Sequence, residues 1–321
     1  MKKYSVVLFN LGGPDSLDAV EPFLKNLFSD PDIFNLPFGQ KLFAKIISKR
    51  RAPKVAAEYE LIGGKSPLNE WTEKQRSLLE TELRNSGFDA DVYTAMRYWN
   101  PLTDETVSKI ENAGYEKIIL LPLYPHYSIT TTGSSFNEWN RHYKGDKGKL
   151  VYIKDYYTDP GYINSLNERI DGGLQKFPPE LRDKVQLVFS AHGTPVSLVK
   201  KGDPYSIQIK ATVNAVMKAR NNSHSHSLCF QSKVGPVKWL EPSTSDMIKT
   251  LAGQNIKNLL IIPISFVSDH IETLFELNIE YRHVADKSGI DNYIVMEGLN
   301  ESPLFINTLK ELILKNGAVK E

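Results

Sequence analysis

The chain has 321 residues, 41% of them hydrophobic, and its charges balance to a net of +1. That length makes two domains the prior, and the balance leaves no global field for nucleic acid, with no arginine-rich or zinc-finger pattern to replace it. Cys229 is the single cysteine, which excludes a disulfide framework or a cysteine-ligated cluster within one chain.

Met1-Lys2-Lys3 ahead of Ser5 to Leu11 begins like a signal peptide, but Asn10 and the Gly12-Gly13-Pro14 turn cut the apolar run short. No uninterrupted apolar span approaches the ~20 residues that cross a bilayer. A soluble, cytoplasmic protein is expected, one still able to rest on a membrane surface. Ser5–Leu11 reads as a first buried strand and Gly12-Gly13-Pro14-Asp15 as a turn that brings backbone close to something. Asp15 or Ser16 should then cap a helix reaching about Phe28, with Val20, Phe23, Leu24 and Leu27 on its apolar face.

Pro31, Pro37 and Gly39 break the chain next. Beyond them Leu42, Phe43, Ile46 and Ile47 share a helical face beside Lys41, Lys45, Lys49, Arg50 and Arg51. Such a basic amphipathic helix can lie at a membrane interface, cover an apolar ligand, or pack on its own domain. Gly63-Gly64-Lys65-Ser66 is not a phosphate loop, because Tyr59 stands where its first glycine belongs and Pro67 would disturb the following helix. Trp71 to Leu83 reads as a helix and Asp91 to Met96 as a strand. Thr103 to Asn112 reads as a helix, and Lys117 to Leu123 as a strand leading to a Thr/Ser-rich turn.

The second half repeats the first. Val6 to Pro14 matches Leu187 to Pro195, and Ile118 to Leu123 matches Leu259 to Ile264. The two separations are unequal, so the first half carries extra residues, and the breaker-rich Asp30–Ser66 stretch is the natural place for them. Alternating strands and helices in both halves imply an α/β fold: two similar doubly wound, parallel-sheet, Rossmann-like domains facing each other across a cleft. The expected division is 1–170 with a lip insertion at about 30–66, then 171–302, then a final helix at 303–321. Two strand ends carry chemistry. One ends at Ser190-Ala191-His192-Gly193. The other opens into Ser268-Asp269-His270-Ile271-Glu272-Thr273-Leu274-Phe275-Glu276, read as a helix capped by Ser268 or Asp269 with Glu272 and Glu276 on one face. An acidic helix start is ordinarily a solvated cap, and a lone strand-end histidine can be structural. The two together suggest proton or cation handling.

These stretches closely resemble ferrochelatase, the family that inserts ferrous iron into a porphyrin. The likeness runs through Asn10-Leu11-Gly12-Gly13-Pro14, Tyr59 to Pro67, Met96-Arg97-Tyr98, Leu121 to Ser135, Ser190-Ala191-His192, Gln231 to Pro236 and Ser268 to Leu274. The resemblance implies a chelatase-like fold whose last helix returns to the first domain. It implies His192 and Glu272 as the facing catalytic pair and as metal ligands, with Asp269, His270 and Glu276 as the surrounding proton and metal network. It implies Leu11, Arg97, Tyr98, Trp239 and Phe266 along the macrocycle, and Arg51, Lys54, Tyr59 and Ser66 as holders of its propionates. Leu11 stands where the coproporphyrin-using branch tends to have tyrosine, which favours protoporphyrin IX. Ferrous iron is then a substrate, no cofactor is tightly bound, and one cysteine cannot hold the iron–sulfur cluster of some relatives. A peripheral contact with the inner membrane goes with the basic amphipathic run.

The chemistry suits these residue types. Two pyrrole N–H protons must leave as the metal enters, and a neutral histidine, with a reference pKa near 6.5, can accept one near neutral pH. Carboxylates can carry protons away or replace the water around a divalent ion. Other tetrapyrrole chelatases, using coproporphyrin or another metal, are the neighbouring reading. A non-catalytic tetrapyrrole carrier is the alternative from another class, and it would not need His192 and Glu272 together.

Overall fold

The computed structural model describes residues 4–34, 38–233, 235 and 237–317. Met1-Lys2-Lys3, the breaker Pro37, and Val234 and Pro236 of the matched run lie outside the described residues. In chain order, β1 (Tyr4–Asn10) is followed by α1 (Val20–Phe28), α2 (Gln40–Glu60), α3 (Leu68–Asn85), β2 (Ala90–Met96), α4 (Thr103–Ala113) and β3 (Lys117–Pro122). A π-helical turn, Ile129–Gly133, runs into α5 (Ser134–His142), and β4 (Leu150–Tyr152) completes the first sheet. Then come α6 (Pro160–Gln175), β5 (Gln186–His192), α7 (Val196–Lys200), α8 (Tyr205–Ala219), β6 (His226–Gln231), α9 (Thr244–Gly253) and β7 (Asn258–Pro263). A π-helix, Glu272–Glu280, continues into α10 (Tyr281–Ser288), followed by β8 (Asn292–Val295) and α11 (Pro303–Gly317).

Every described strand pair is parallel, and the two sheets share one topology: β2-β1-β3-β4 and β6-β5-β7-β8. Runs such as Val6–Phe9 and Leu259–Ile262 are apolar throughout because strands of a sheet covered on both faces bury every side chain. In each sheet the strand order reverses beside its first strand, between β1 and β3 and between β5 and β7. Such a switch point leaves a crevice beyond the carboxyl ends of the strands, where open α/β sheets bind ligands. The repeat in the sequence is the repeat of this topology, since β1 corresponds to β5 and β3 to β7.

The chain forms two compact units, one holding residues to Tyr156 together with those from Glu301 onward, the other Tyr157–Asn300. The division falls ahead of α6, whereas the expected one lay inside it, because α6 packs on α8 and β7 of the second unit. In the first unit Val7, Phe9, Ile118 and Leu120 meet Val107, Ile110 and Trp139 from the helices, and α11 lies on α3 and β3. In the second, Val188, Leu259 and Ile261 meet Ile248, Leu251 and Leu277.

The structure corrects or details the sequence reading at four places. The helix after β1 starts at Val20, not at the proposed caps, because Ser16 takes the Ala19 N–H into a turn (3.2 Å to its carbonyl and 3.3 Å to Oγ). The Gly12-Gly13 turn approaches its own chain: a Cβ on Gly12, whose φ is +76°, would meet Trp99 at 2.9 Å, and one on Gly13 would meet Ser66. The Thr/Ser-rich stretch after β3 is wound into the π-turn, with Ser128 Oγ accepting the Thr130 N–H. Lastly, α2 turns its small residues inward. Ala44, Ser48 and Ala52, spaced by four, are buried and let α2 pack closely on α1. Leu42 and Ile46 are left 63% and 60% exposed, while Phe43 leans on the Phe28 and Phe34 rings at 6.3 and 6.2 Å.

Candidate functional site

His192 is the last residue of β5, one register step beyond Ala191↔Phe230, and its partner on β6 is Gln231. On the other side β7 has already ended at Pro263, and the chain continues through Ser265 and Phe266 to the π-helix. The switch point of the second sheet therefore gathers His192, Phe266, His270, Glu272 and Glu276. His192 Nδ1 lies 3.0 Å from Glu272 Oε2, and His270 Nε2 lies 3.8 Å from the same oxygen. The Phe266 ring stands edge-on to both imidazoles, with centroids 4.3 Å from His270 and 6.1 Å from His192.

The winding explains how both carboxylates reach this point. A π-helix closes i→i+5 bonds, so residues four or five apart form rows along it. One row, Thr273 and Leu277, is buried, while Glu272 and Glu276 form the row at the site. The α-helical spacing expected from the sequence gave the right pair by a different geometry. Glu276 accepts from Ser232 N–H at 2.7 Å, Ser232 Oγ at 2.5 Å and Tyr281 OH at 2.8 Å. Ser232, at φ +65°, holds a backbone conformation seldom used outside glycine.

The electrostatics of the three groups follow from this packing. Burial would lower the His192 pKa, but the charge and hydrogen bond of Glu272 overcome it and raise the value above the usual 6.5. Burial alone would raise Glu272, yet His192 and then His270 hold it well below the ordinary carboxylate range. Glu276 is pushed up, first by burial and then by the neighbouring Glu272 charge, against the pull of its hydrogen bonds. Glu272 thus favours the protonated form of His192, and Glu276 takes a proton more readily than an ordinary glutamate.

Asp269 belongs elsewhere. Its carboxylate accepts from Gly298 N–H, from Asn300 Nδ2 at 2.7 Å and from Thr273 Oγ1 at 2.9 Å, while its own N–H goes to Asn300 Oδ1. It neither caps the helix nor faces His192: it buckles the start of the π-helix to the 298–300 loop. Trp239 is half-buried beside Gly193, where an added Cβ would come within 3.3 Å of the indole. Among the described residues, no three His, Cys, Asp or Glu side chains converge as a metal site.

The remaining expected residues lie in the first unit, and most are committed to it. Arg97 and Tyr98 follow β2. Arg97 bonds Asp30 Oδ1 at 2.8 Å and Ser134 Oγ at 2.8 Å, and Tyr98 donates to Asp30 Oδ2 at 2.7 Å. Leu11 follows β1, half-buried, its carbonyl accepting the Tyr98 N–H. Arg51 lies over the Phe28 ring at 5.7 Å. Tyr59 and Ser66 are buried, the Ser66 hydroxyl accepting the Leu68 N–H at the start of α3. Of the four residues expected to hold propionates, only Lys54 is fully exposed, in a loose pair with Glu58 at 3.7 Å. Sequence reasoning missed Asp30, Ser134 and Glu138 around Arg97, and Tyr281 beside Glu276. Nothing in their local sequence sets them apart, because only burial makes them partners. Ser232 lay within a quoted run but carried no assigned role.

Comparison with known proteins defines the class first. The sirohydrochlorin chelatase SirB from Bacillus subtilis subspecies spizizenii, solved in complex with cobalt, superposes with a TM-score of 0.53 over 98% of this chain and 96% of that one. At 9% identity that likeness establishes the two-unit α/β chelatase fold and nothing finer. The family is narrower. The ferrochelatase family model matches residues 3–317. The ferrochelatase of Geotalea daltonii is 50% identical over 317 residues, 97% of either chain. That of Geobacter metallireducens is 48% identical over 320 residues, 98% of this chain and 99% of its own. The chain belongs to the ferrochelatase family.

Proposed function

We infer that this chain inserts ferrous iron into protoporphyrin IX and releases two protons, and that His192 accepts the first of them. The observation carrying this reading is the 3.0 Å contact between His192 Nδ1 and Glu272. It commits one ring nitrogen to the carboxylate and reserves Nε2 for the substrate, on a side chain 37% exposed. A proton arriving at Nε2 makes an imidazolium that Glu272 stabilises, the same arrangement by which buried carboxylates support catalytic histidines. Glu276, with its raised affinity for protons, continues the path outward. Iron is a substrate here, with Nε2 and the two glutamates as the groups that can strip water from it, and the reading calls for no resident cofactor. Phe266, beside both imidazoles, offers the macrocycle apolar surface.

Anaerobic incubation with protoporphyrin IX and ferrous iron, followed by absorbance, should show conversion of the free base. With coproporphyrin as competitor, kcat/KM should favour protoporphyrin. A preference for coproporphyrin would overturn the reading of Leu11, and a bound but never metallated porphyrin would make the chain a carrier.

A peripheral membrane contact is supported by α2. Among the described residues no helix is long and apolar enough to cross a membrane, yet Phe38, Leu42 and Ile46 are exposed beside Lys41, Lys45, Lys49 and Arg50. Binding to anionic vesicles should weaken as salt rises. The informative variant is Leu42→Glu with Ile46→Glu, since Phe43 is needed for the Phe28–Phe34 cluster. Unchanged co-sedimentation of that variant would remove this surface from membrane binding.

A further inference from the structure

Where β7 ends early, β5 loses its backbone partner, and side chains take over. Ile264 N–H still reaches the Ser190 carbonyl at 3.1 Å, but the His192 N–H is met by the Ser265 hydroxyl, at 2.7 Å. The His192 carbonyl accepts from Tyr205 OH at 3.0 Å, and the next amide, Gly193 N–H, goes to the Gln231 carbonyl at 2.8 Å. Ser265 and Tyr205 are both buried. The phenol is held neutral, first by burial, so it stays a donor. Tyr205 is itself fixed as the first residue of α8, its N–H on Asp203 Oδ1 at 2.9 Å. Two buried side chains thus hold the two backbone polar groups of His192, Ser265 its N–H and Tyr205 its carbonyl.

We propose that Tyr205 and Ser265 are positioning residues that act through His192, fixing the direction in which its imidazole leaves the end of β5. A side chain's direction is set at Cα, and clamping both peptide groups around His192 leaves the ring few orientations in which Nδ1 meets Glu272. Neither residue is asked to touch porphyrin or iron. The inference rests on His192 acting as the base, and its test separates the two claims.

Tyr205→Phe removes the donor to the carbonyl and keeps the ring. Misplacing a reacting group by ~1 Å costs up to ~10²-fold, so kcat should fall between ~10- and ~10²-fold while porphyrin KM stays within about twofold. Ser265→Ala should behave alike, and the pair together should lose less than the product of the two. In a His192→Ala background, Tyr205→Phe should cost nothing more, because the group it positions is gone. A structural role instead gives full additivity in that background, with activity tracking the folded fraction, and that result overturns the proposal. The histidine ring resonances at one fixed pH give a readout free of activity. In Tyr205→Phe the His192 signals should shift and those of His142 and His224 should not. If they shift while His192→Ala metallates normally, the clamp stands and the base assignment falls. Unshifted His192 signals sink the clamp whatever the rates show.

Discussion

His192→Ala should lose at least ~10²-fold in kcat, the lower end for a positioned acid–base group, with porphyrin affinity nearly unchanged. The loss belongs to turnover because Nε2 is the atom in question, whereas apolar surface carries most ligand binding. Truncation also leaves Glu272 buried beside His270 alone, so melting temperature and porphyrin Kd must be measured on the same preparation as the single-turnover rate. A mutant that folds, binds porphyrin and metallates at a near-normal rate would remove His192 from the proton path. The pH dependence has a definite sign. Glu272 raises the His192 pKa above 6.5, and only the unprotonated ring can accept a proton. In the wild type kcat/KM should therefore climb with pH through that raised value and flatten above it. Glu272→Gln removes the charge that raises it, so the climb should move to lower pH while the maximal rate drops, the imidazolium having lost its partner. For stability the pair works the other way. Its contribution is present between the ordinary carboxylate range and the raised histidine value, fading below as Glu272 protonates and above as His192 loses its proton.

The largest stability effect is expected at Asp30, which is 1% exposed. Oδ1 accepts from Arg97 and from the Asp32 N–H, both at 2.8 Å, and Oδ2 from Tyr98 OH at 2.7 Å and Ser134 Oγ at 2.6 Å. Asp30→Ala leaves Arg97, 9% exposed, with Ser134 and a Glu138 oxygen 3.5 Å away. Removing one partner of a buried pair costs ~3–5 kcal/mol, because the other charge stays buried without it. Trp71, Trp99 and Trp139 all belong to this unit, so denaturation followed by tryptophan fluorescence reads the loss. A cost below ~1 kcal/mol would mean that the network is not holding β2 to the α1–α2 connection. Glu138 adds an acid limit. Burial would raise its pKa, but Arg97 and Arg141 hold it below the ordinary glutamate value. Its contribution is complete above the unfolded carboxylate value and lost as pH falls through the lower folded one.

Arg97 and Tyr98 show where reading a sequence stops. Their place after a strand was visible in the alternation of apolar runs and breakers, but a guanidinium and a phenol look alike whether they face a ligand or a buried carboxylate. Asp30, 67 residues before Arg97 in the sequence, is brought there only by packing. Asp269 is a second instance. Its position invited a cap or a proton carrier, and the 298–300 loop, contributed by a later segment, consumes its lone pairs. The face of α2 is a third. Hydrophobicity marked Leu42 and Ile46 for burial or contact, but close approach of two helices selects small side chains, and Ala44, Ser48 and Ala52 were the ones packed.

What the chain's letters determined by themselves was the architecture and the two stretches, one ending at His192 and one carrying Glu272, that meet in it. Strands buried on both faces must be continuous apolar runs, helices between them must change the period, and a repeated order of such runs must repeat a topology. Those are local constraints, and they placed His192 at the end of one strand and Glu272 on the helix that follows its neighbour. Only the tertiary structure decided the π-helical winding that turns Glu276 toward Ser232, and the early end of β7 that hands the His192 backbone to Ser265 and Tyr205. It also decided which charges are occupied. Each of these depends on atoms far apart in the chain meeting within about 3 Å, a distance at which hydrogen bonds form and which no local pattern encodes.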